Sequence, residues 1–333
     1  MNQELIDKLF RDAKNQSFNG QIVFIEHGKR YEYLSGIEDI NKNTMLSNRS
    51  IFAVASGTKF LTTLAIGQLI DQKKFDLESK AKDILDLGFD MYDADVKIKH
   101  LLSHTSGLPD YLDESEEEHP LIDNQAIKNV SDYLQYFPHR KMDFKPGTQF
   151  KYNNSAFVYL ALIIEKVTGI SYQAYINEKL LQPLGISKSG IFVTSSDFQD
   201  KAMGYVDLKD KKTYIGYIPE SSGGDGGAYM HADECYQLFY ALMKGHILSK
   251  SLTQAFLTPH ILANEQQEEW YGYGVWLKKK DQEYIPFVIG VDPGIRMKAY
   301  YHGKNDRFSW IVTNIESDVW RLFHQFDIVT LTS

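Results

Sequence analysis

Ser56-Gly57-Thr58-Lys59, followed directly by Phe60-Leu61-Thr62-Thr63-Leu64-Ala65-Ile66, sets a serine and a lysine three residues apart at the start of an apolar helix. Residues at that spacing lie on one face a turn apart, so the Lys59 amine reaches the Ser56 hydroxyl and, when neutral, takes its proton without a histidine. Ile51-Phe52-Ala53-Val54-Ala55 precedes the serine, so both side chains are expected to be partly buried, and desolvation favours the neutral amine that a lysine base requires. The pattern recurs at Ser79-Lys80-Ala81-Lys82, but there the charged stretch Asp76 to Asp83 keeps the lysines hydrated and protonated. A plainer reading of Ser56, an N-cap beside a lysine lying over Phe60, stays open on these four residues alone.

The chain around this tetrad is that of an ordinary globular protein: 333 residues, 43% hydrophobic, 24% charged, net charge −8. A negative chain repels phosphate backbones and anionic bilayers, so neither nucleic acid nor membrane is an expected partner. The first ten residues, Met1 to Phe10, read as an amphipathic helix without the basic start and apolar core of a signal peptide, and no run approaches a membrane span. A lone Cys235 forbids internal disulfides and fits a reducing compartment, so the cytoplasm is the expected location.

Strand signals gather at the two ends. Gln21 to Glu26 alternates, passes through His27-Gly28 and returns as Lys29 to Leu34, a β-hairpin. Tyr271 to Lys278, Glu283 to Gly290, Met297 to His302 and Phe308 to Asn314 read as four more strands, and Ser317 is expected to cap a last helix over about 318–328. The acidic run Asp113 to Glu118 reads as a solvated loop. These signals predict an α+β fold in one catalytic domain over 1–333. Both chain ends (about 1–75 and 264–333) build an antiparallel sheet, and a mostly helical part (about 76–263) is inserted between them. A pocket is expected at the seam.

Two further patterns carry chemistry. Tyr152-Asn153-Asn154 precedes the helix Ala156 to Val167; there a phenol relays protons, and an amide accepts from a lysine or donates to a substrate carbonyl. Tyr175-Ile176-Asn177 matches too but falls mid-helix on Ser171 to Leu181, where Tyr175 reads as core. Gly290-Val291-Asp292-Pro293-Gly294 follows a strand: Gly290 allows another backbone or a ligand to approach, while Asp-Pro-Gly is ordinary turn chemistry.

In this order the three elements resemble the serine β-lactamase and penicillin-binding protein superfamily, whose Ser-x-x-Lys signature is one of its catalytic motifs. Connecting phrases narrow the likeness: His104-Thr105-Ser106-Gly107-Leu108-Pro109-Asp110-Tyr111, Pro146-Gly147, Gln182-Pro183-Leu184-Gly185, Gly226-Gly227 and Tyr271-Gly272-Tyr273-Gly274. They resemble the class C β-lactamase-like branch, which also holds serine esterases, D-aminopeptidases and D,D-carboxypeptidases, over about residues 18–314. The resemblance implies Ser56 as nucleophile, Lys59 as its proton partner, Tyr152 as second base and leaving-group acid, and Asn154 as the substrate-orienting amide. It also implies an oxyanion hole from the Ser56 and Val291 N–H groups beside Gly290. It supplies no role for His104, which reads as a locally bonded turn histidine.

One position departs. The family's third motif, Lys-Thr-Gly or His-x-Gly, supplies a cation to the substrate carboxylate; aligned on Pro293-Gly294 it falls on Val288-Ile289-Gly290, and Val288 offers no charge. Arg296 or Lys298 is the candidate replacement. The expected function is therefore a serine hydrolase acting on small esters or peptide-like amides through an acyl-enzyme on Ser56, with no cofactor or metal. The alternatives are a penicillin-binding D,D-carboxypeptidase or β-lactamase, and a non-catalytic ligand-binding descendant. The residues leave the oligomeric state open.

Overall fold

The computed structural model describes residues 2–112 and 122–332, so the acidic run Asp113 to Glu118 lies outside the described residues. Helix α1 (Gln3–Asn15), capped by the Asn2 side chain, buries Ile6, Leu9 and Ala13 on one face. It leads into strands β1 (Gly20–Glu26) and β2 (Lys29–Ser35). Their two-residue turn places His27 (φ 50°) and Gly28 (φ 78°) in the left-handed region, which matches the twist of a hairpin. Along β1 side chains point alternately to two cores: Val23 and Ile25 to the larger one, Ile22 and Phe24 to the smaller.

Two helices frame the site. Helix α2 (Thr58–Asp71) is apolar on nearly every side and buried through most of its length, as a central helix must be. Helix α3 (Asn154–Thr168) packs beside it and ends at Gly169 (φ 73°). The remaining strands of the main sheet are β3 (Ile261–Asn264), β4 (Glu269–Tyr271), β5 (Trp276–Lys280), β6 (Glu283–Asp292), β7 (Ile295–His302) and β8 (Arg307–Thr313). They form the antiparallel order β3-β4-β5-β6-β7-β8-β1-β2, which closes the two chain ends into one sheet. Helix α4 (Trp320–Leu331) and α1 cover one face of this sheet, with Phe326 against Phe24, and the helical region covers the other.

Four expectations change in detail. Tyr271 to Lys278 is two strands, because Gly272 and Gly274 (φ 66°) make a turn between β4 and β5. Ser317 does not cap the last helix, which starts after Val319 without a side-chain cap. The inserted part contributes short strands: Gly190–Ile191, Ala228–Met230 and Lys201–Ala202 form a small sheet with Ile51–Ala53. The Ser171 to Leu181 segment is a short α turn that widens into a π-wound stretch over Tyr175–Leu181, with Tyr175 buried in the core.

Candidate active site

The strand Ile51–Ala53 delivers the chain into a tight turn, Ala55–Gly57, from which α2 departs. Ala55 sits at φ 48°, a conformation costly for a residue with a Cβ. Thr58 holds the turn in place: its hydroxyl donates to the Ala55 carbonyl (2.7 Å) and accepts from the Ala228 N–H (2.9 Å). Helix α2 begins at this turn without a side-chain cap. The N-cap reading of Ser56 is thereby excluded, and its hydroxyl faces Lys59 and Tyr152 instead.

Lys59 is 2% exposed. Its Nζ lies 3.2 Å from Ser56 Oγ, 2.8 Å from Asn154 Oδ1 and 2.8 Å from the Asp225 carbonyl oxygen. The same Nζ is 4.7 Å from the centre of the Tyr152 ring, over its face. The Tyr152 phenol bonds the Ser56 side chain, and burial pushes its proton affinity far above the ordinary tyrosine range against the opposing effect of that bond. Tyr152 is therefore a protonated phenol at neutral pH, a donor in the resting site.

Asn154 stands in the first turn of α3, behind the N-cap Asn153, whose side chain accepts from the Ala156 N–H. His104 supports this turn. Its Nδ1 accepts from the Asn153 N–H (3.0 Å), which leaves the proton on Nε2 to donate to Tyr271 Oη (3.1 Å), and its ring packs 4.3 Å from that of Tyr152. Burial, then the Lys59 charge, hold its proton affinity well below the usual histidine range, so it stays neutral. His104 is a positioning histidine.

Sequence reasoning passed over two aspartates. Asp110 accepts from the Asn154 N–H and Nδ2 (2.9 and 3.1 Å) and from the Ser155 N–H (2.9 Å), and burial pushes its carboxyl up to about 6. Asp225 offers its carbonyl to Lys59 and accepts the Tyr111 hydroxyl at 2.6 Å. The one signal for both was their place in phrases already quoted: Asp110 inside the His104 to Tyr111 run, Asp225 directly before Gly226-Gly227.

Strand β6 supplies the other wall. A Cβ at Gly290 would overlap the Val54 carbonyl oxygen, so only glycine lets this strand lie against the Ala55–Gly57 turn. Val291, next along, lines the pocket with Ser56. Val288 does not. It shares the Gly290 side of the strand by parity but is 5% exposed among core side chains, below the pocket wall. The candidate replacements also lie outside the pocket lining, on β7 beside Val291 and Ile289. There Lys298 meets Asp327 of α4 (2.9 Å) and Arg296 stacks on Trp320. The second tetrad is structural: Ser79 closes a turn with Asp76, and Lys82 pairs with Asp86.

The pocket has a volume of about 310 Å³. Ser56, Tyr152 and Asn154 lie within it, Leu112, Ile218, Pro219 and Val291 give it apolar walls, and Asp110, Asp225 and Asp292 give it negative charge. Its lysine, Lys151, donates to Asp143 at 2.7 Å.

The family model described as Beta-lactamase matches residues 6–316. The chain belongs to the beta-lactamase family. Among solved structures, a penicillin-binding protein from Bacillus halodurans superposes with a TM-score of 0.87 at 30% identity, covering 99% of both chains. Penicillin-binding protein 4* of Bacillus subtilis is 28% identical over 290 residues, 81% of this chain and 62% of its own length. The teichoic acid D-alanine hydrolase of Staphylococcus aureus is 25% identical over 273 residues, 81% of this chain and 65% of its own length. The chain thus spans under two thirds of these two relatives.

Proposed function

We propose that this beta-lactamase-family protein is a serine hydrolase that cleaves esters or peptide-like amides through an acyl-enzyme on Ser56. The observation that carries the reading is Lys59 Nζ, buried and within hydrogen-bond distance of Ser56 Oγ, with Tyr152 bonded to the same serine. Lys59 takes the Ser56 proton as Oγ attacks the acyl carbon. The N–H groups of Ser56 and Val291 receive the developing oxyanion. Tyr152 gives its proton to the leaving group and is reprotonated from Lys59, and water then releases the acyl group by the same path in reverse.

The substrate is an acyl donor without a carboxylate at the position where the family's third motif places a cation. Val288, Arg296 and Lys298 lie outside the pocket lining, with Lys298 on Asp327 and Arg296 on Trp320, and three aspartates line it; a carboxylate-bearing β-lactam would lose a charge-assisted bond and meet like charge. The relative named for D-alanine hydrolysis acts on an amine-bearing acyl group, which suits such a pocket. Location in the cytoplasm is part of the proposal, resting on the single, buried Cys235, and cell fractionation tests it.

Labelling with a fluorophosphonate tests the activity: wild type is expected to be labelled and Ser56→Ala not. Equal labelling of both would overturn the assignment, and stable acylation by penicillin would move the reading to a penicillin-binding enzyme.

A further inference from the structure

Lys59 donates to two groups that only accept, the Asn154 amide oxygen and the Asp225 carbonyl, both at 2.8 Å, and faces Ser56 Oγ at 3.2 Å. A neutral amine has two N–H bonds and one lone pair. With both N–H bonds directed at the two acceptors, the lone pair is left for the serine. That assignment depends on which end of the Asn154 amide faces Lys59, because its oxygen and nitrogen ends are nearly the same shape and only the oxygen end is purely an acceptor.

Asp110 decides the choice. It is 6% exposed and, as a carboxylate, can only accept. Asn154 Nδ2 donates to Asp110 Oδ2 at 3.1 Å, and the backbone N–H groups of Asn154 and Ser155 hold the same carboxylate at 2.9 Å each. Ser155 Oγ also donates to it (3.3 Å) while accepting from the Tyr111 N–H (2.9 Å). With the nitrogen end fixed on Asp110, the oxygen end must face Lys59 whether or not the lysine is protonated.

We propose that Asp110 is a positioning residue for acyl transfer: by fixing the polarity of the Asn154 amide it aims the Lys59 lone pair at Ser56. The inference rests on the reading of Ser56 and Lys59 as nucleophile and base. The titratable groups coupled to Asp110 are Lys59 from α2, Tyr152 before α3, Tyr111 beside it and Tyr92.

The test is the rate of Ser56 labelling by a fluorophosphonate, followed from pH 5 to 10 in wild type and Asp110→Asn. In the variant two amides face each other. The asparagine side chain offers an oxygen at one end only, so the Asn154 amide is no longer held with its oxygen on Lys59, and Lys59 loses a fixed acceptor and a nearby negative charge. The plateau rate is expected to fall by at least about 30-fold, while the pH midpoint moves down by about one unit because the ammonium form has lost its support. Simple loosening of the fold would admit water and move the midpoint up.

The exchange variant Asp110→Asn/Asn154→Asp restores a donor facing an acceptor and returns an oxygen to Lys59, and its plateau is expected within about 30-fold of wild type. If Asp110→Asn does not fold, the exchange variant alone decides, a lower plateau overturning the proposal. A single variant labelled at the wild-type rate, or with its midpoint raised, also overturns it. An unlabelled wild type would instead defeat the acyl-enzyme reading itself.

Discussion

Replacing Asp110 by asparagine should remove a pH-dependent cost that the folded protein bears at neutral pH while impairing its chemistry. The carboxyl is buried at the start of α3, and burial raises it from an ordinary 3.8 to about 6 in spite of the N–H groups that favour its charged form. Between those two values the folded chain binds a proton that the unfolded chain has released. Stability from this group is therefore fully present below pH 3.8 and is lost as pH rises through 6. A shift of about two units at about 1.36 kcal/mol each puts the loss at about 3 kcal/mol. Asparagine has the shape of the protonated acid and no charge to bury. The stability of Asp110→Asn relative to wild type should thus climb by up to about 3 kcal/mol between pH 4 and pH 7.5. Urea unfolding at several pH values, followed by the fluorescence of the four tryptophans, measures the difference directly. A difference that stays flat with pH, or that shifts against the variant as pH rises from 4 to 7.5, would refute the claim that Asp110 is a charge kept in the fold at a cost.

Other outcomes follow from the same geometry. Lys59→Ala and Tyr152→Phe should each lower kcat by at least about 10²-fold with a smaller change in KM, read from steady-state hydrolysis of p-nitrophenyl acetate. Gly290→Ala forces a methyl group into the Val54 carbonyl and should cost about 1–3 kcal/mol in urea unfolding along with most of the esterase rate. Val288→Lys puts a charge among core side chains and should destabilise by about 3 kcal/mol or more without improving nitrocefin turnover. For wild type, kcat/KM should favour p-nitrophenyl acetate over nitrocefin by at least about tenfold.

The meeting of the Ser56 to Lys59 tetrad with the Tyr152 to Asn154 triplet was legible in sequence because each packs its polar groups into a few consecutive residues with an apolar helix behind. The sheet was legible for a similar reason: strand alternation and turn residues are local signals, and the terminal strands carry them plainly. What stayed hidden depends on contacts across the chain. Asp110 meets Asn154 across 44 residues, and Asp225 acts on Lys59 through a backbone carbonyl, which no pattern of side chains reveals. Alignment on Pro293-Gly294 gave the motif position on which Val288 falls but not its depth, and depth decides whether a side chain meets substrate or core. The break between β4 and β5 was missed although its glycines were in view, because the flanking aromatics also suit an unbroken strand.

The identity of the acylated residue tests the acyl-enzyme mechanism most directly. After brief exposure to p-nitrophenyl acetate and an acid quench, peptide mass spectrometry should find one acetyl group on Ser56 in wild type and none in Ser56→Ala. Acetylation of Ser79, or adduct formation unaffected by the loss of Ser56, would contradict it.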